Sequence, residues 1–309
     1  TGTCTVSMTD NRSVTASFTI TTRTLTGTIS GSGTVNVNPP NTNYTSNFSR
    51  TYNYGTSVTL SATAGTGYAF AGWSGACSGT GTCTVSMTDN RSVTASFNLN
   101  IPPVPTGVSC STASASQINV SWNASSGADD YLVYRCTGDG CTPTSNTYTT
   151  SGTSWSNTGL SAGTVYRYRV RARNAVGTSG YSSTVTCITV PATPSGLSCA
   201  TASPSQINVS WNSVTGASDY LVYRCTGSTC TPSTLVRTQS STSWSNTGLS
   251  ANTTYRYRVR ARNSGGTSGY SSIATCTTAA SNYSLVVNKD GTGSGTVTSD
   301  PSGISCGST

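Results

Sequence analysis

The 309-residue chain sets sixteen basic against eight acidic residues, for a formal net charge of +8, and it holds no histidine, no glutamate, one lysine (Lys289), fifteen arginines and eight aspartates. General acid–base catalysis draws mainly on histidine or on carboxylates tuned by burial or pairing, and the only adjacent carboxylates, Asp129 and Asp130, point to opposite faces if they lie in a strand. No catalytic residue, no cofactor and no enzyme activity is therefore expected in this segment, and with no apolar run near the ~20 residues that cross a bilayer, no membrane span is expected either.

In chain order, the first element is a repeat. Residues 1–18, TGTCTVSMTDNRSVTASF, recur letter for letter at 80–97, so residues 1–22 read as the C-terminal part of a truncated module and the chain as an array of small units. Residues 23–97 read as a complete module. Its signals are SGTV at 32–35, GTSVTLSATAGTGYAFAGWSGACSGTGTCTVSM at 55–87, and the arms Cys83-Val85-Met87 and Val93-Ala95-Phe97, joined by TDNR and expected to form a hairpin. A Pro-containing linker follows at 98–103. Next come two units at 104–190 and 191–279, in which Cys110, Trp122, Cys136, Cys141, Trp155, Tyr166 and Cys187 recur 89 positions later as Cys199, Trp211, Cys225, Cys230, Trp244, Tyr255 and Cys276. Ile118, Val120 and Trp122 alternate along one strand, Tyr131 and Val133 along the next, and Tyr166, Tyr168, Val170 and Ala172 along a third, the period-2 signature of half-buried strands. Residues 280–309 repeat SGTV at 294–297 and read as the N-terminal part of a further module of the first kind.

Twelve cysteines set the compartment. Cys77 and Cys83 bracket SGTGT, Cys136 and Cys141 bracket TGDG, and Cys225 and Cys230 bracket TGST, each a Gly-rich turn that brings strand ends together. Cys110 with Cys187, and Cys199 with Cys276, lie near the two ends of their units and are expected to join first strand to last. Zinc without histidine would need clusters of four thiolates at short paired spacings, so no metal is expected. Cys4 and Cys306 are left over. Persistent disulfides imply an oxidising environment, hence a secreted or cell-surface, extracellular protein.

QINVSWNA with Trp122, YLVYR, and GLSAGTVYRYRVRARNAVGTSGYSS resemble a fibronectin type III domain, and the unit with Trp211, Tyr220 and Tyr255 repeats the match. The resemblance implies a seven-stranded, two-sheet sandwich with Tyr166 as the tyrosine corner; the cysteines depart from the usual disulfide-free pattern. GY-F-GWSGAC-GTGTC-V-M resembles the divergent internalin-type B repeat of bacterial surface proteins, which implies a small all-β spacer or contact domain. The fold expected is all-β, tandem fibronectin type III sandwiches plus B-repeat modules in an elongated array.

YRYRVRARN puts Arg167, Arg169, Arg171 and Arg173 on one strand face, and its copy does so with Arg256, Arg258, Arg260 and Arg262. Neighbours there lie about 7 Å apart and repel unless something intervenes. In one reading the guanidinium planes interleave with rings such as Tyr134 or Tyr181, GTSGYSS resembling the serine segment that partners an arginine ladder in some type III domains; in the other the stripe attracts anionic polysaccharide, extracellular DNA or an acidic partner. The near-exclusive use of arginine favours stacking. Asp10, Asp89, Asp129, Asp130, Asp139, Asp219, Asp290 and Asp300 are scattered, whereas calcium needs clustered carboxylates. Tyr44, Tyr52, Tyr54, Trp155, Trp244 and the pair Phe70 and Trp73 are candidates for sugar stacking, while Trp73, Trp122 and Trp211 sit in alternating positions that face a core.

These features make the chain a structural segment of a bacterial extracellular filament, stalk or surface fibre, whose partners are further copies of itself or further repeats; no specific nucleic-acid partner is expected. Two rivals stand beside it: an adhesin or carbohydrate-binding array using a surface glycan or anionic polysaccharide, and the accessory domains of a secreted polysaccharide-degrading enzyme. The repeat offsets of 262 and 79 extrapolate to a period of 341 residues for a recurring order of modules, with broken modules completed by a longer chain or by successive subunits.

Overall fold

The computed structural model describes residues 2–282, 286, 290–292, 297–298 and 305–306. It is all-β, with no helix among the described residues. The chain divides into two compact units, residues 1–193 with 214–218 and 261–269, and residues 194–213 with 219–260 and 270–309.

Within the first unit, the initial module is built from β1 (Thr22–Ser30), β2 (Gly33–Asn38), β3 (Thr42–Tyr44), β4 (Phe48–Asn53), β5 (Ser57–Ala64), β6 (Tyr68–Gly75), β7 (Cys83–Ser86) and β8 (Arg91–Leu99). They form two four-stranded sheets ordered β4-β1-β8-β6 and β3-β2-β5-β7. The arms Cys83-Val85-Met87 and Val93-Ala95-Phe97 are not a hairpin: β7 pairs with β5 and β8 with β1, in parallel, and with β6. The six apolar residues of the two arms are all buried, because they face one core from opposite sheets. Alternation reports which side of a strand is apolar and does not report which strand lies beside it. Leu25, Val37, Val58, Leu60 and Met87 are fully buried there, each removal from water being worth about 1.5–3 kcal/mol. Gly27 is required by packing, since a Cβ there would meet the Phe48 ring at 2.0 Å.

The second module comprises β9 (Ser109–Thr112), β10 (Gln117–Ser121), β11 (Asp130–Thr137), β12 (Asn146–Thr150), β13 (Ser154–Thr158), β14 (Val165–Arg173) and β15 (Val185–Ile188). Sheet β13-β10-β9 faces sheet β12-β11-β14-β15 across a core of Ile118, Val120, Trp122, Tyr131, Val133, Tyr166, Tyr168, Val170 and Ala172. The Tyr166 hydroxyl accepts the Ser161 amide N–H at 2.9 Å. Leu132 and Tyr134, on the opposite face of β11, are also buried.

The third module repeats the plan: β16 (Ser198–Ser203), β17 (Gln206–Ser210), β18 (Asp219–Thr226), β19 (Thr234–Gln239), β20 (Ser243–Thr247), β21 (Thr254–Asn263), β22 (Gly266–Thr267) and β23 (Ala274–Thr277). Its sheets are β16-β17-β20 and β19-β18-β21-β22, with β23 also on β21. The Ser250 N–H donates to the Tyr255 hydroxyl at 3.0 Å. A short antiparallel pair, β24 (Val297–Thr298) and β25 (Ser305–Cys306), follows. Most of the module expected at 280–309 lies outside the described residues, as do Lys289 and Asp300.

Candidate functional site

Among the described residues, five disulfides close the modules. Cys77–Cys83 ties the end of β6 to the start of β7 with Cα atoms 5.7 Å apart. Cys136–Cys141 and Cys225–Cys230 close six-residue loops at Cα separations of 6.2 Å, with Gly138 and Gly227 at φ +103° and +117°. Cys110–Cys187 links β9 to β15, edge strands of opposite sheets, and Cys199–Cys276 links β16 to β23 in the same way. Cys4 is exposed and free.

The arginine face is built by β14 and its neighbours. Arg169 lies 3.4 Å from the Tyr181 ring centroid and Arg171 lies 4.7 Å from the same ring; Tyr134 meets Tyr181 edge-on at 5.0 Å. Tyr181 is held there by two serines. The hydroxyls of Ser179 and Ser182 accept the backbone N–H groups of Ala172 and Val170, each at 2.9 Å, while their own N–H groups donate back to the carbonyls of Ala172 and Val170. Between the serines, Gly180-Tyr181 loops outward and lays the ring between the two guanidinium groups. The four arginines do not all stack. Arg167 Nη1 donates to the Cys141 carbonyl, so the ladder's lower end is tied to a disulfide loop, and Arg173 Nε donates to Asp130 Oδ1 at 2.9 Å in an ion pair. Asp130 holds the Arg173 guanidinium above its usual pKa by hydrogen bonding and charge. The third module copies the centre of this face, with Arg258 and Arg260 at 3.4 and 4.7 Å from Tyr270, Ser268 and Ser271 as clamps, and Arg256 Nη1 on the Cys230 carbonyl. Arg262 closes the strand face.

One buried chain of polar groups was not anticipated. Arg135 Nη1 donates to Asn157 Oδ1 at 3.1 Å, and Asn157 Nδ2 donates to the Tyr168 hydroxyl at 2.8 Å, in the core; Arg224, Asn246 and Tyr257 repeat it. Burial pushes the Tyr168 phenol up to about 12 against the opposing pull of Asn157 and Arg135. The signal available was the recurrence of YLVYR and SWSNT at an interval of 89.

The aromatic candidates separate. Tyr52 and Trp73 are buried, Tyr52 donating to the Pro39 carbonyl and Trp73 Nε1 to the Gly81 carbonyl. Tyr44 is stacked on Phe48 at 4.4 Å and Trp155 on Tyr148 at 4.9 Å; Trp244 and Phe70 are half-buried and Tyr54 is exposed. Trp122 and Trp211 are core residues. Among the described residues no cluster of three or more metal-ligating side chains occurs.

Asn174 marks the junction of the first two modules. Its Nδ2 donates to the Asn100 and Gly127 carbonyls at 2.6 and 3.0 Å, and its Oδ1 accepts the N–H groups of Val176 and Gly177, so all of this buried amide's bonding capacity faces named partners. Gly67 and Gly127 abut so closely that a Cβ on Gly67 would lie 2.6 Å from the Gly127 Cα. Backbone meets backbone with no room for a side chain.

These elements define a tandem array of disulfide-closed β-sandwich modules. The fibronectin type III domain model matches residues 103–188 and 192–277, more than half of the chain, and the chain belongs to that family; a divergent InlB B-repeat domain matches residues 20–101. Exoglucanase B of Cellulomonas fimi is 32% identical over 222 residues, which are 66% of this chain and 18% of that protein. Chitinase A1 of Niallia circulans is 30% identical over 181 residues, 53% of this chain and 24% of that protein. The chain thus spans less than a quarter of the length of either relative. A two-domain fibronectin type III segment of chicken tenascin is 19% identical with a TM-score of 0.36, covering 56% of this chain and 98% of that one.

Proposed function

We propose that the chain is a stiffened, non-catalytic spacer arm of an extracellular bacterial protein, of the kind carried as accessory domains by a polysaccharide-degrading enzyme. Similarity to an exoglucanase and a chitinase supports the enzyme context, and five disulfides support an oxidising, extracellular setting. The observation that carries the spacer role is the Asn174 clamp: inter-module motion is the default where an interface is small and polar, and here a buried amide binds the first module's exit residue, Asn100, to two loops of the next. The arginines support a spacer over an anionic-polymer site, since Arg167, Arg169, Arg171 and Arg173 each have a partner within the fold. Small-angle X-ray scattering on the whole chain tests the role. Asn174→Ala is expected to broaden the distribution of inter-module distances while circular dichroism stays unchanged; identical scattering from both proteins refutes the clamp.

A filament or stalk is the second reading, favoured by the letter-for-letter recurrence of residues 1–18 at 80–97. Its partners are further repeats of the same kind.

A further inference from the structure

The junction carried by Asn174 is built a second time, from different partners. Asn263, 89 positions on and likewise buried, donates through Nδ2 to the Thr189 and Gly216 carbonyls at 2.9 and 3.1 Å and accepts the Gly265 N–H at 2.8 Å. Position by position, Thr189 stands for Asn100 and Gly216 for Gly127, and Val190 packs on Gly266 as Ile101 packs on Gly177. Gly163 takes the part of Gly67. It too has a positive φ, +58° against +78°, and a Cβ on it would overlap the Thr215 carbonyl oxygen. All of these residues belong to the first compact unit.

A B-repeat presents Gly67, and a fibronectin type III module presents Gly163. Two unlike folds therefore satisfy one socket, and they do so with backbone: a carbonyl that takes the amide protons, and a glycine whose missing side chain lets main chain touch main chain. Glycine is the stricter requirement, since every residue carries a carbonyl and only glycine leaves that gap empty.

The third module has the same turn without the glycine. Asn252 occupies the place of Gly163 at φ +50°, and its N–H donates to the Ala279 carbonyl at 3.0 Å as the Gly163 N–H donates to that of Val190. Asparagine tolerates this backbone region, so the turn survives while its side chain fills the space that the socket needs vacant. We propose that the Asn174 and Asn263 sockets are docking surfaces selective for the exit end of a module with glycine at this turn, and that Asn252 bars the exit end of the third module from any such socket. The proposal rests on the clamp reading given above and adds to it the rule by which a partner is accepted.

Gly163→Asn in the whole chain transplants the third module's residue into a working junction, and Asn252 is the precedent that such a turn folds. By nuclear magnetic resonance, the Asn263 side-chain amide protons are expected to exchange with solvent at least about tenfold faster in this variant, with the Asn174 protons and the circular dichroism unchanged. Gly159→Asn is the control, because Gly159 has φ +71° and open space where a Cβ would stand; it is expected to leave the Asn263 protons as they were. Protected Asn263 protons in Gly163→Asn, or equal release by Gly159→Asn, overturn the proposal. If Asn174→Ala still broadens the scattering in that case, the clamp stands and the glycine rule alone falls; scattering unchanged by Asn174→Ala takes down both.

Discussion

Arg169 and Arg171 hold one tyrosine between them, and at this scale charge and shape part company. Lysine keeps the charge and loses the plane that lies on Tyr181 at 3.4 and 4.7 Å, a contact worth about 0.5–2 kcal/mol. The variant with Arg169→Lys and Arg171→Lys is therefore expected to melt a few degrees lower in calorimetry, with the loss persisting in high salt; an unchanged melting temperature removes the stacking account. Tyr168 yields a pH dependence. Its pKa in the fold, about 12, lies above the ordinary value of 10 because burial disfavours the phenolate, so its contribution is fully present below pH 10 and is lost as pH rises through about 12. Tyr257 shifts in the same direction for the same reason. Urea midpoints are expected to fall across that window, and to fall less steeply in Tyr168→Phe. Strand alternation already put the four arginines of β14 on one side. Which of them meets a ring, a carbonyl or an aspartate was not written in that pattern, because each partner comes from a different part of the chain: Tyr181, the Cys141 carbonyl and Asp130 at the start of β11.

Among the elements, β9 and β15 are edge strands of opposite sheets, joined only by a few contacts and by Cys110–Cys187, which spans a sequence separation of 77. Closing so long a loop removes much freedom from the unfolded chain, and Cys110→Ser with Cys187→Ser is expected to cost about 2–5 kcal/mol by denaturant titration. Opening Cys136–Cys141, with a separation of 5, is expected to cost less, because the shorter loop constrains less; the reverse order contradicts a chain-entropy origin. Spacing offered a reading of the turn pairs, since five- and six-residue separations across glycine turns leave few other partners, whereas Cys110 and Cys187, 77 apart, were matched only by their places at the two ends of a unit. The pairing of β7 and β8 was not legible. A four-residue connection between two alternating runs suits a hairpin and an arch between facing sheets equally, and only the shared core with β1, β5 and β6 chooses the arch.

For the whole molecule, a spacer and a binding arm differ in an observable way. If the chain only separates domains, it stays in the supernatant when mixed with crystalline cellulose or chitin; retention on either polymer, lost on Tyr54→Ala at the exposed ring of the first module, supports the adhesive reading in its place. A fibre predicts thin filaments by electron microscopy. Both outcomes turn on surfaces, and surfaces are where composition says least: the chain is rich in serine, threonine, asparagine and glycine throughout.

Local pattern sufficed for the class of fold and the two kinds of module, since each depends on residues close in sequence or on repeats that can be laid over one another. The Asn174 clamp, the buried Arg135–Asn157–Tyr168 chain and the arch between β7 and β8 required the folded chain, because their partners lie on elements that only packing brings together. The clearest case is the duplicated segment. Its letters are identical at 2–18 and 81–97, and the burial of its apolar residues is opposite, because a strand's apolar face becomes a core only when the rest of the sheet is there to cover it.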